Sequence, residues 1–370
     1  MNPAAALALA ALVGPVELRG GDVVTAPIES ITLEGVRVGG EEPRIIAWDS
    51  VRRVTGDGSA KAGEFAEVAE RAWRARLRLA RGDHALAAPL FEDLWTTYRE
   101  ASGPTALMIA EGTLACRLAT GRSADAIEPW LRAVSLREKG VEIAGDPRLT
   151  PVIDGATMLV PALAPIWLDG RSAQAAIEES WLPRTGVAGE LATLFAASSR
   201  FQSGGAGAGA LPGGEGKPGV ALVALMVESI APEAARREAA RFAMRGRLDQ
   251  ESGTWREAWL RAALGRSYLL EADARARMVG VFHLMHLPSR FAWSHPHLAA
   301  MALAVSAREL RSQGDASGAD ALRAELVRMF PGAREIAWLD AQSENSVQPD
   351  PAPAVDPVPD AAPSSREQTP

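Results

Sequence analysis

Hydrophobic and polar positions along this chain change period once, near residue 60, from about two to nearly four. Before the change, residues 15 to 58 carry short β-branched runs separated by Gly20-Gly21-Asp22, Glu34-Gly35 and Gly39-Gly40, the punctuation of strands joined by tight turns. Val36 and Val38 alternate with Gly35, Arg37 and Gly39, and Ile45-Ile46-Ala47-Trp48 adds a further strand. The pattern predicts a small β module. After the change, Phe65, Val68, Ala69, Ala72 and Trp73 share one helical face, and Ala87, Leu90, Phe91, Leu94, Trp95 and Tyr98 share the next. Gly82 ends the first of these helices, and Asp83 is placed to cap the second. Residues 298 to 331 read as a helix, a Gly314-Asp315 turn, a second helix and a closing Pro331.

The helical pairs repeat. Arg78-Leu79-Ala80-Arg81-Gly82 is echoed 39 residues on by Arg117-Leu118-Ala119-Thr120-Gly121, and Ala87 and Phe91 by Ala126 and Trp130. Pro89 and Pro129 each fall six residues after the expected caps Asp83 and Ser123, which predicts one repeated geometry with a bent or delayed helix start. Leu303, Ala307, Leu310, Gly314, Ala319, Leu326 and Pro331 fall in one register; Leu264, Gly265 and Tyr268, closed by Pro288, fall in another. In these residues the chain resembles the tetratricopeptide-repeat (TPR) family, whose units are helix pairs of about 34 residues. The resemblance implies a mainly α fold, an irregular TPR-like array of antiparallel helical hairpins. It also implies a groove, lined by the first helices of successive hairpins, that receives an extended peptide or partner helix. Residues 15 to 58 resemble SH3-like or Sm-like modules, a likeness that assigns no functional residue.

Interruptions set the expected organisation: a leader (1–14), the β module (15–58), N-terminal helical repeats (62–202), a Gly-rich linker (203–218), C-terminal helical repeats (219–342) and a tail (343–370). Residues 151 to 168 hold three prolines in an apolar run, which suits a buried extended connector better than a helix. The tail, with seven prolines and almost no large apolar side chain, is expected to be disordered. The leader, MNPAAALALAALVG, has the length of a signal-peptide core and is too short to cross a bilayer. Export to the periplasm or cell envelope is therefore expected, with a cytoplasmic protein retaining its leader as the alternative. No other window reaches membrane-spanning length.

Charge narrows the partners. The net charge of −7 falls partly in the tail, and a near-neutral body of mixed sign argues against nucleic acid, which demands a concentrated cationic face. Two arginine runs, Arg71, Arg74, Arg76, Arg78 and Arg81, and Arg236, Arg237, Arg241 and Arg245, have Glu67, Glu70, Glu233 and Glu238 within helical reach and read as solvated, ion-paired faces. Cys116, the single cysteine, excludes an internal disulfide and reads as a small core residue.

Candidate chemistry is sparse. His283, His286, His295 and His297 crowd one stretch, so a four-imidazole metal site is conceivable, although no carboxylate interleaves and packing or capping roles are preferred. The glycines from Gly204 to Gly209 lack the lysine of a phosphate loop and read as linker. Ser198, Ser199 and Ser289 lack a nucleophile elbow, and Glu41-Glu42 and Glu178-Glu179 point apart as sequence neighbours. Trp73, Trp95, Trp130, Trp255 and Trp259 read as core, or as peptide anchors wherever they emerge. No residue is assigned a catalytic, cofactor-binding or metal-ligating role, and no cofactor is expected. The expectation is a non-enzymatic scaffold that binds a peptide or partner protein through a TPR-like groove. The alternatives are an envelope metal-dependent enzyme or metal-binding protein using the four histidines, and a self-assembling structural protein.

Overall fold

A computed structural model describes residues 14–143, 148–167, 175, 177, 185–205 and 210–346. Residues 1–13 of the expected leader, Glu178-Glu179, Ala206 to Gly209 and the tail from residue 347 lie outside the described residues. The chain divides into two compact units, Met1–Ala299 and Ala300–Pro370.

The first unit opens with two antiparallel three-stranded sheets. One has the order β2-β1-β6, from β2 (Val23–Val24), β1 (Val16–Leu18) and β6 (Val51–Val54); the other runs β3 (Ile28–Thr32), β4 (Gly35–Val38) and β5 (Arg44–Ile46). Val36 and Val38 point into the core, as their alternation predicts. Ile28 and Ile31 both face inward although three residues apart, because the register shifts between Ile28 and Ser30 and the bulge re-aims the strand. Gly35 adopts φ 142°, and a Cβ there would lie 2.2 Å from the Ile46 carbonyl oxygen, so the β3-β4 turn admits glycine alone.

So small a β module buries too little surface to stand by itself. It is completed by the helices that follow: α1 (Ser59–Gly63), α2 (Ala66–Ala80), α3 (His84–Tyr98) and α4 (Gly103–Ala119). The Trp48 ring stacks on Phe65 at 4.8 Å, and its indole N–H donates to the Thr32 carbonyl at 3.0 Å. The Trp48 backbone N–H donates to Thr105 Oγ1 of α4 at 3.0 Å, and that hydroxyl donates to the Glu34 carbonyl at 2.7 Å. Tyr98 of α3 donates to the Leu33 carbonyl at 3.2 Å. Arg76 of α2 pairs with the buried Asp49, and Arg19 pairs with Glu70 at 2.8 Å while lying 4.4 Å over the Trp73 ring.

The helical body continues with α5 (Ile127–Glu138), α6 (Gly186–Gln202), α7 (Pro218–Glu228), α8 (Ala234–Leu248), α9 (Trp255–Tyr268) and α10 (Ala274–Arg290). Each helix from α2 to α10 packs on the next, so the architecture is a mainly α succession of paired helices behind a β module. The α9-α10 pair touches through glycines. In α9 and α10, Gly265 and Gly280 face each other so closely that a Cβ on Gly265 would sit 2.4 Å from Leu284 Cδ2 and 3.0 Å from the Gly280 carbonyl oxygen.

The two prolines read as one repeated feature differ. Pro89 lies inside a continuous α3, whereas α5 begins only at Ile127, which leaves Pro129 in its first turn, where no amide partner is lost. The Asp83 side chain makes no cap hydrogen bond, while those of Thr254, Asp273 and Asp315 do. The glycine-rich stretch joins α6 to α7, which pack on each other.

Helix α11 (Pro296–Ser312) crosses from the first unit into the second, which also holds α12 (Ala316–Met329) and α13 (Arg334–Ser346). Within the second unit Asp315 caps α12 by accepting from Gly318 N at 2.8 Å, Arg323 pairs with Asp340 at 2.8 Å, and Arg308 lies 4.9 Å over the Trp338 ring.

Gly265→Val is expected to lower stability by about 2 kcal/mol or more, because the two helices must part. Gly246→Ala, in the last turn of α8 with open space around it, is expected to raise stability by about 0.5–1 kcal/mol. Urea unfolding followed by circular dichroism checks both.

Candidate functional site

Residues 148–167 run without helix or strand among the helices of the first unit, as the three prolines predict, with Ile153, Leu159, Val160, Leu163, Ile166 and Trp167 buried. The segment is fastened by side chains of the surrounding helices. The Trp130 indole of α5 donates to the Met158 carbonyl at 2.9 Å, and the Trp259 indole of α9 to the Pro161 carbonyl at 2.9 Å. The Pro165 carbonyl accepts from the Ser198 hydroxyl and from the Gln202 amide at 3.2 Å, both on α6. Gly219, at the start of α7, comes so near that a Cβ would lie 1.9 Å from the Thr157 carbonyl oxygen. Met158 and Trp167 hold positive φ, 60° and 58°, a conformation costly for side-chain-bearing residues. Helix α9, the first helix of the unit marked by Leu264, Gly265 and Tyr268, is thus covered by the chain itself at Trp259.

The exposed apolar side chains lie elsewhere. Phe242 of α8 is 74% exposed, Phe282 of α10 is 67% and Trp293 after α10 is 99%, with Met278 and Val279 of α10 also open. Between α8 and α10 lies a connected polar floor. Arg245 donates to the Tyr268 hydroxyl at 2.7 Å; the Tyr268 ring stacks on His283 at 5.8 Å and 6°; Arg261 approaches His283 Nδ1 at 3.3 Å. Below it, the buried Glu257 carboxylate accepts from Gly253 N at 2.8 Å and pairs with Arg290 at 2.7 Å and Arg261 at 3.4 Å.

Helix α8 inverts the usual arrangement. Arg237 and Arg241 are buried and share the Glu271 carboxylate at 3.1 and 2.6 Å, and Arg241 also lies 4.9 Å over the Tyr268 ring. Only Arg236 keeps the solvated pairing expected of this run, to Glu228 and Glu233. The Arg237 hydrogen bond, followed by that of Arg241, holds the Glu271 carboxyl below the usual range despite the opposing effect of burial. In the other run the expected pairs Arg71-Glu67 and Arg74-Glu70 are present.

The four histidines serve separate contacts. His283 stacks on Tyr268, His286 meets the Phe282 edge at 5.4 Å, His295 meets Phe291 and lies 3.0 Å from Ser294 Oγ, and His297 stands in the first turn of α11. Among the described residues, no three His, Cys, Asp or Glu side chains are grouped to hold a metal ion. Burial first, then the Arg261 charge, pushes His283 down to about 4, so its neutral ring is the form that accepts from Arg261.

Ser198 is buried against Pro165, Ser199 is buried, and Ser289 donates to the His286 carbonyl at 3.1 Å. Cys116 is buried in α4, where burial and the Glu92 charge push its thiol up to about 11. Trp95, Trp130 and Trp259 are core; Trp73 and Trp255 are half-buried. Sequence periodicity missed Phe242 because it stands in an arginine-rich stretch whose arginines turn inward. Among the described residues no helix is long and apolar enough to cross a membrane. No protein-family model, curated protein or solved structure matches this chain.

Two outcomes follow from these contacts. Trp259→Phe removes the donor to the Pro161 carbonyl and is expected to cost about 1–3 kcal/mol in urea unfolding. His283 has a folded pKa below its unfolded value, so its contribution is complete above pH 6.5 and is lost as pH falls toward 4. His283→Phe is expected to flatten that part of the stability-pH curve by about 1–2 kcal/mol, after allowance for solvent screening.

Proposed function

We propose that this chain is a non-enzymatic protein-protein interaction scaffold, a TPR-like array of helical hairpins behind an SH3- or Sm-like β module, exported to the periplasm or cell envelope. Its partner is a protein or peptide. The observation that carries this reading is the exposure of Phe242, Phe282 and Trp293 on a unit whose other described Phe, Tyr and Trp side chains are buried or half-buried. Rigid exposed aromatics on a firm helical frame are the usual anchors of recognition. The side of α9 at Trp259 is taken by residues 148–167, so recognition falls to the open faces of α8 and α10.

Capture with the tagged full-length protein, from extracts of the cells that make it, tests the reading. One partner recovered reproducibly and competed off by untagged protein is the expected result. Recovery of no partner sinks it, as does recovery of this chain alone with a sedimentation coefficient that rises with concentration, the mark of self-assembly.

A further inference from the structure

We propose that the strip between α8 and α10 is the docking face, and that its occupant is an acidic peptide segment carrying aromatic side chains. This deepens the scaffold reading and rests on it. Phe242 and Arg245 stand one turn apart on α8; Arg275, Val279, Phe282 and His286 follow the helical spacing of a single stripe on α10. Tyr268 of α9 joins the two helices from below, through Arg245 and His283. The strip therefore offers aromatic walls over a polar, hydrogen-bonding floor.

Its charge selects the partner. Glu257 and Glu271, the acids tied to the floor through Arg261 and Arg241, are already engaged, the first by Arg261, Arg290 and Gly253 N, the second by Arg237 and Arg241. Arg245 meets a neutral phenol, and among the described residues Arg245 and Arg275 form no ion pair. Glu238, one turn before Phe242, and Asp249, just beyond α8, temper the field without pairing to Arg245. An incoming carboxylate meets guanidinium groups that need not first release an ionic partner, and burying an aromatic ring beside Phe242 or Phe282 supplies the apolar part of the affinity. A polynucleotide would need a longer cationic track than these few arginines provide.

The test is fluorescence anisotropy of the full-length protein with a fluorescein-labelled short peptide of alternating Asp and Glu around two central Phe residues. Saturable, salt-sensitive binding is expected, weakened about tenfold or more by Arg245→Glu and by Phe242→Ser. Both side chains are exposed, so the variants are expected to keep the wild-type unfolding midpoint; Phe282→Ser provides an independent check if one of them does not. Absence of saturable binding overturns the proposal. So does equal binding by the variants, or stronger binding of a Lys-for-acid peptide, a single-stranded oligonucleotide or phosphatidylglycerol vesicles. If Arg245→Glu and Phe242→Ser still capture the cellular partner, this face is not the site and the scaffold reading survives; if the wild type captures none, the scaffold reading itself has failed.

Discussion

A backbone carbonyl buried without a regular ladder must find its donors one at a time, and the first unit is organised by that requirement. A buried amide-like group left unpaired costs about 2–7 kcal/mol depending on the reference state. Residues 148–167 carry such carbonyls into the interior, and the indoles of Trp130 and Trp259, the Ser198 hydroxyl and the Gln202 amide answer them. The dependence is reciprocal, because a buried indole N–H also requires an acceptor. One irregular segment thereby joins α5, α6 and α9, and its approach to α7 is possible because position 219 has no side chain.

A second balance concerns charge taken out of water. Arg237 and Arg241 are tolerated inside because Glu271 accepts from both and because carbonyls of Ala231 and Pro232 take up further donors from Arg237. Asp49 with Arg76 does similar service between the β module and α2. Such pairs add little net stability over apolar packing, yet removing one partner strands the other, so they fix the register of the helices that carry them. Turning the arginines inward has a further effect, since Phe242 is then carried outward on the same helix.

The change of period near residue 60 and the pairing of helices were open to a reader of the sequence, because alternation in Val36 and Val38 and the helical spacing from Phe65 to Trp73 each favour one element. Bulges were not: Ile28 and Ile31 share a face only after the register slips. The echo of Pro89 in Pro129 was half informative: α5 does start late, which makes its proline harmless, but α3 runs on through Pro89, so the two sites do not share one geometry. Phe242 was hidden for a related reason. Periodicity assigns apolar residues inward, and the partner that lets arginines replace them, Glu271, stands in a loop beyond the following helix. Nor did the neighbouring histidines disclose that three of them, His283, His286 and His295, each meet a different aromatic ring.

Cys116 has one more consequence. It lies within α4, fully enclosed, and its sulfur resists ionising at neutral pH. Since the thiolate is the reactive form, a thiol reagent reaches it only when α4 opens. As the sole sulfhydryl, it makes the molecule a self-contained clock: its labelling rate times how often this part of the interior breathes.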